Sequence, residues 1–143
     1  MSIDKNTTLY LSGPISGQPE ENRQAFEDAE HRLRSLGFNV INPFHLAEPE
    51  PQDGDTSAQK WAAYLARDIH FLVKTHQTAT TPVPVAVVIL AGWRYSRGSC
   101  LEVAVAEQFG IPVYTFGYVL AESKQPYSFP WPKAKETTNA DVR

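Results

Sequence analysis

The chain has 143 residues, 42% of them hydrophobic, with a formal net charge of −3 at pH 7. That length fits one domain with a core of its own, and Cys100, the only cysteine, excludes an internal disulfide framework. The thirteen Lys and Arg residues are scattered, which argues against a groove for polymeric nucleic acid, because such grooves cluster cations to neutralise phosphates.

The first eight residues are polar and contain no apolar stretch of the kind a secretory signal needs. The longest apolar run, residues 83–91, falls far short of the ~20 residues that span a bilayer, so a cytoplasmic protein without membrane contact is expected. Residues 8–11 form a short apolar run broken by Ser12, Gly13 and Pro14, which predicts a first strand. Pro19, Glu20 and Glu21 suit the first turn of a helix. Phe26, Ala29, Leu33 and Leu36 follow at helical spacing, and Gly37 suits the position just past its end. Residues 38–41 predict a second strand that stops at Asn42 and Pro43, and the acidic, Pro- and Gly-containing stretch 48–55 predicts a loop.

A second helix is predicted from about Ser57 to Lys74, with Trp61, Leu65, Ile69 and Leu72 on one stripe. Pro82 and Pro84 lead into residues 85–90, apolar on both faces, as suits a central parallel strand covered by helices. A loop at 92–98, a third helix at 99–109 and a strand at 111–116 complete the alternation. The body is therefore expected over residues 1–120, with 121–143 an extended, aromatic and proline-rich arm that docks on a neighbour and frays after Lys133. The order predicts a doubly wound α/β domain, Rossmann- or flavodoxin-like, with a mostly parallel sheet of four to five strands. Ligands in such sheets sit beyond the carboxyl ends of the strands. The informative loops are thus 12–17, 42–46 (with Asn42 and Phe44) and 92–99.

Two acids stand out. Asp68 shares a helix face with Trp61, Tyr64, Leu65 and Leu72, whereas Arg67 is expected to point away. A carboxylate on an apolar stripe must find hydrogen bonds or face a cavity. It is either a buried structural acid or an acid at the floor of a cleft. Glu102 also has two readings. Ser99-Cys100-Leu101-Glu102 matches a capping box, in which the Glu folds back on the helix start. The alternative is a nucleophile kept ionised at a helix N-terminus, paired with Asp68 in the two-carboxylate arrangement of glycosyl transfer. Residues 12–17 and the loop holding Trp93, Ser96, Arg97, Gly98 and Ser99 are rich in small residues that permit close approach to sugar or phosphate. The four histidines show no metal-ligand spacing, so neither metal nor cofactor is expected.

Taken together, residues 10–17 (YLSGPISG), Asp68 and residues 92–102 (GWRYSRGSCLE) resemble the nucleoside 2-deoxyribosyltransferase superfamily, over residues 9–114. The similarity is to its phage-type members and to the 2′-deoxynucleoside 5′-monophosphate N-hydrolases. The resemblance implies that Glu102 attacks C1′, that Asp68 assists departure of the base and then handles the water proton, and that the Tyr10 hydroxyl orients Glu102. It implies substrate contacts from Ser12, Gly13, Pro14, Ile15, Ser16, Asn42, Phe44, Trp93, Ser96, Arg97, Gly98 and Ser99. Ser96 stands where nucleoside transferases have Asp and monophosphate hydrolases have a phosphate-binding Ser. Ser16 departs from the pattern, since those hydrolases carry an Arg near that point. The expectation is an N-glycosidase acting on deoxynucleoside monophosphates as a homodimer or larger homo-oligomer. Base-exchanging transferase activity and a non-catalytic nucleotide-binding module are the alternatives.

Overall fold

The structure, a computed structural model, describes residues 3–50, 56–77 and 84–124. In chain order it contains β1 (Thr8–Ser12), α1 (Arg23–Ser35), β2 (Asn39–Ile41), α2 (Ser57–Gln77), β3 (Val85–Ile89), α3 (Arg97–Gln108), β4 (Val113–Thr115) and α4 (Phe116–Lys124). The strands form one parallel sheet in the order β2-β1-β3-β4. Leu9 and Leu11 of β1 pack with Phe26, Ala29 and Leu33 of α1 and Val119 of α4 on one face. Tyr10 points to the other face, with Leu72 of α2 and Val103 and Ala106 of α3. Helices thus cover both faces, and the chain folds as a doubly wound α/β domain. β3 is buried at every position, which explains why its sequence shows no alternation.

Several local starts and stops differ from the sequence expectation. Glu20, Glu21 and Asn22 have φ of 49°, 57° and 62° in a tight 3-10 turn over Pro19–Asn22. The first α-helix therefore begins at Arg23, and the two acids lie outside it. Asn22 holds this turn against the first loop by donating from its side chain to the Pro14 carbonyl at 3.0 Å. At α2 a reciprocal cap forms, with Gln59 N–H donating to Thr56 Oγ1 and Thr56 N–H donating to Gln59 Oε1. α3 begins at Arg97, because Ser96 rather than Ser99 is its N-cap; the Ser96 hydroxyl accepts from Ser99 N–H at 3.2 Å. The expected strand at 111–116 ends at Thr115, whose hydroxyl accepts from Tyr118 N–H and starts α4. Residues 121–124 continue that helix rather than an extended arm, since Phe116, Val119 and Leu120 recur at helical spacing and pack on the core. The rest of the expected arm, its frayed end after Lys133 and its aromatic contact surface lie outside the described residues, as does the loop at 51–55.

Strand order reverses between β1 and β3, which opens a crevice at their carboxyl ends. The crevice floor is tight. Leu90 N–H donates to Ser12 O at 2.8 Å, and a Cβ on Gly13 would lie 3.0 Å from Leu90 Cβ. Only glycine fits there without displacing the chain that follows β3. Among the described residues no helix is long and apolar enough to cross a membrane.

Candidate active site

A cavity of about 460 Å³ lies over this crevice, within the size range typical of small-ligand sites. Gly13, Ile15, Ser16 and Gly17 reach it from the loop after β1, and Pro43 and Phe44 from the loop after β2. Trp61, Tyr64, Leu65, Arg67 and Asp68 contribute from α2, and Tyr95 to Ser99 together with Glu102 from the start of α3.

Glu102 is 5% exposed, at the cavity wall. The capping-box reading fails geometrically, because Ser96 caps α3 and Glu102 lies in its second turn, turned inward. Its carboxylate instead accepts from Tyr10 Oη at 2.5 Å and from Ser12 Oγ at 2.7 Å. Tyr10 and Ser12 are two apart on β1 and so project to one face, delivering two hydroxyls to one acid. Burial pushes Glu102 up to about 7; the Tyr10 and Ser12 hydrogen bonds oppose this, Asp68 adds to it and Arg67 reduces it. Tyr10 is held well above its usual range, first by burial and then by the charge of Glu102, so it stays protonated and donates.

Asp68 is 7% exposed and lines the same cavity from α2. Arg67 does not point away. Its Nε lies 2.8 Å and its Nη2 2.6 Å from Asp68 Oδ1. The same guanidinium donates to the carbonyls of Pro43 at 3.1 Å and Ala47 at 3.2 Å. A helical wheel places Cα–Cβ vectors, whereas a long arginine stem can turn back to its own neighbour. Burial raises the Asp68 carboxyl above its usual range, and the Arg67 hydrogen bond and charge pull it back. Both acids therefore feel burial against compensating partners, a combination found where carboxylates exchange protons near neutral pH.

The start of α3 presents groups suited to an anion. The Ser96 oxygen already accepts from Ser99 N–H, which leaves its own proton to donate. Ser99 Oγ is 1% exposed and has no hydrogen-bond partner among the described residues, although Ser99 lines the cavity. A buried hydroxyl without a partner is costly, and this one lies just behind the cavity surface at the start of α3. Arg97 lies 4.5 Å over the Trp61 ring, and Arg23, the first residue of α1, 4.3 Å over Phe44. Both arginines line the cavity, and among the described residues neither has a carboxylate partner.

The structure gathers Gly13, Ile15, Ser16, Phe44, Asp68, Ser96, Arg97, Gly98, Ser99 and Glu102 at the cavity, with Tyr10 and Ser12 immediately behind Glu102. It places three other anticipated residues elsewhere. Asn42 is a structural cap that accepts from Phe44 N–H and donates to Glu30. Trp93 faces a separate cavity bounded by Arg94, Thr115 and Phe116. Pro14 does not reach the wall; it stands against Gly92, where a Cβ would come 3.3 Å from Pro14 Cγ. Sequence reasoning missed Arg23 and Arg67 at the site and treated Trp61 and Leu65 as core. Both of these are only half-buried, because the amino-terminal half of the α2 stripe walls the cavity while Leu72 alone is fully enclosed. The acid at position 68 was the one available signal that the stripe changes role along its length. Among the described residues no three His, Cys, Asp or Glu side chains gather in a group that would hold a metal.

No curated protein and no solved structure matches this chain. A family match covers residues 7–115, from the start of β1 to the end of β4, and so includes both carboxylates and every strand of the sheet. The chain belongs to the family described as a domain of unknown function, DUF4406.

Proposed function

We propose that the protein is a retaining N-glycosidase that releases the base from 2′-deoxynucleoside 5′-monophosphates. The observation that carries this reading is Glu102, an acid buried at a cavity wall, held by two hydroxyls, with a second carboxylate, Asp68, lining the same cavity and raising it electrostatically. A buried acid with only neutral hydrogen-bond donors is an expensive structural element and a well-oriented nucleophile. The resemblance to nucleoside 2-deoxyribosyltransferases supplies the substrate class.

In the first step a Glu102 oxygen bonds to C1′ as the C1′–N bond breaks. The bonding pair passes to the base nitrogen, and Asp68 supplies the proton that the departing base takes up. In the second step water attacks C1′ and gives its proton to Asp68, and the electrons of the ester C1′–O bond return to Glu102. The reactive form holds one proton between the two carboxylates, on Asp68 while Glu102 attacks. Tyr10 and Ser12 orient Glu102 and favour its ionised form.

A 5′-phosphate is supported by the α3 amino terminus, where Ser96, Arg97 and Ser99 line the cavity. Arg23 adds a cation at the same cavity, which offsets the absence of an arginine at Ser16. The test is incubation with a panel of deoxynucleosides and their 5′-monophosphates, with free base read by chromatography. Release from monophosphates in water alone is the expected result. Release only when a second base is present would assign a transferase instead, and no release from any member would overturn the glycosidase reading.

A further inference from the structure

The proposed reaction needs Asp68 to give and take a proton at a defined place, and an aspartate has two oxygens that rotate readily. Both Arg67 contacts, from Nε and Nη2, fall on Oδ1. Oδ1 accepts from Nε and lies against the guanidinium charge at Nη2, so it is the oxygen less able to take a proton, and any proton Asp68 carries resides on Oδ2. Arg67 is itself immobilised by the Pro43 and Ala47 carbonyls in the chain that follows β2, and its side chain is 17% exposed. Each of its three nitrogens donates to a fixed protein acceptor. Arg67, Arg23 and Arg97 each lie over an aromatic ring at this cavity, but among the described residues Arg67 also donates to fixed carboxylate and carbonyl acceptors.

We propose that Arg67 is the positioning residue of the site, fixing Asp68 by Oδ1 so that proton transfer takes place at Oδ2 alone. This rests on the glycosidase reading. The charged and titratable groups around Asp68 are Arg67 and Tyr64 on α2, Glu102 on α3 and Tyr10 on β1, with Glu21, Arg23, Glu48, Tyr95 and Arg97 on the remaining cavity walls. Of these, Arg67 alone hydrogen-bonds to Asp68 among the described residues, and its charge reaches Glu102 as well. Its removal therefore makes both acids hold their protons to higher pH.

The experiment compares wild type, Arg67→Lys and Arg67→Met in kcat across pH, with a carboxyl ¹³C titration of Asp68 on the same full-length proteins, its signal assigned by Asp68→Asn. In Arg67→Met, kcat is expected to fall about 100-fold, the scale of a displaced general acid. Both limbs of the bell should move up by about one pH unit or more, as should the Asp68 titration. Arg67→Lys keeps the charge but loses the fork. Its bell should stay near the wild-type position, with a rate about tenfold below wild type, between the other two. An unchanged pH profile and Asp68 titration in Arg67→Met would overturn the proposal, as would full wild-type kcat in Arg67→Lys, the variant that decides if Arg67→Met does not fold. Absence of base release by wild type would instead sink the glycosidase reading, and the titration would still report whether Arg67 governs Asp68.

Discussion

The two faces of the sheet are built for different ends. Against α1 and α4 the strand buries Leu9 and Leu11 among Phe26, Ala29, Leu33 and Val119, and the acid buried on those helices, Glu122 of α4, does not line the cavity. Against α2 and α3 the same strand contributes Tyr10 and Ser12, and the helices add Asp68, Ser99 and Glu102, all buried and polar. One strand, alternating Leu-Tyr-Leu-Ser over residues 9–12, serves both. The apolar face gains free energy from burial, and the polar face gives some of it up to hold acids away from water. The contrast teaches that stability and chemistry are separated here by the pleat of β1, a distance of one residue.

That separation can be broken experimentally, and the largest effect is expected on the polar face. Glu102→Gln should lower base release by at least about 10³-fold, as loss of a nucleophile does, while far-UV circular dichroism stays unchanged. Near-normal turnover in this variant would end the proposed mechanism. On the apolar face Leu33→Ala should destabilise by about 3 kcal/mol through lost burial and a residual cavity. Urea denaturation would measure this, and kcat of the folded fraction should stay within about twofold of wild type. A loss of kcat as large as that of stability would show the faces to be coupled.

A third measurement sharpens the comparison through pH. Burial raises Glu102 from its ordinary 4.5 to about 7, so between those values the folded chain keeps a proton that the unfolded chain has lost. Stability from this group therefore falls as pH rises across that window, and the full cost of the buried charge stands above about 7. Glu102→Gln removes that cost. Its stability advantage over wild type should grow by up to about 3 kcal/mol between pH 5 and pH 8, seen in urea midpoints at the two pH values. A constant difference would mean that Glu102 is ordinarily ionised in the folded state. The smallest effect is one of selectivity. Ser96→Asp sets a carboxylate beside the anion wall and should lower kcat/KM for a monophosphate about tenfold more than for its nucleoside. Equal losses on both substrates would remove Ser96 from phosphate recognition.

Much of this was readable in the chain. Periodicity gave α1, α2 and β3 to within a few residues, because apolar spacing reports directly which side of an element meets the core. Capping patterns were less safe. Thr56-Ser57-Ala58-Gln59 and Ser99-Cys100-Leu101-Glu102 carry the same signature, yet only the first folds back on its helix start. Ser96 captures the α3 terminus first, and the hydroxyls of Tyr10 and Ser12 lie ready to receive Glu102. A local motif states which bonds are feasible; here one competitor, Ser96, is local, and another, Ser12, arrives from 90 residues away in sequence.

By itself the sequence determined the layering, since a helix or strand with one apolar side must bury it and the alternation of such elements admits few arrangements. It also marked Asp68 and Glu102 as acids in places where acids are costly. The tertiary structure alone decided what those acids touch. It turned Arg67 back onto Asp68, set Asn42 to capping and Trp93 to another cavity, brought Arg23 to the site, and carried α4 through residues 121–124. The reason is physical. Hydrophobic burial scales with area and leaves a periodic trace in the chain, whereas a hydrogen bond depends on tenths of an ångström between groups that only the folded chain brings together.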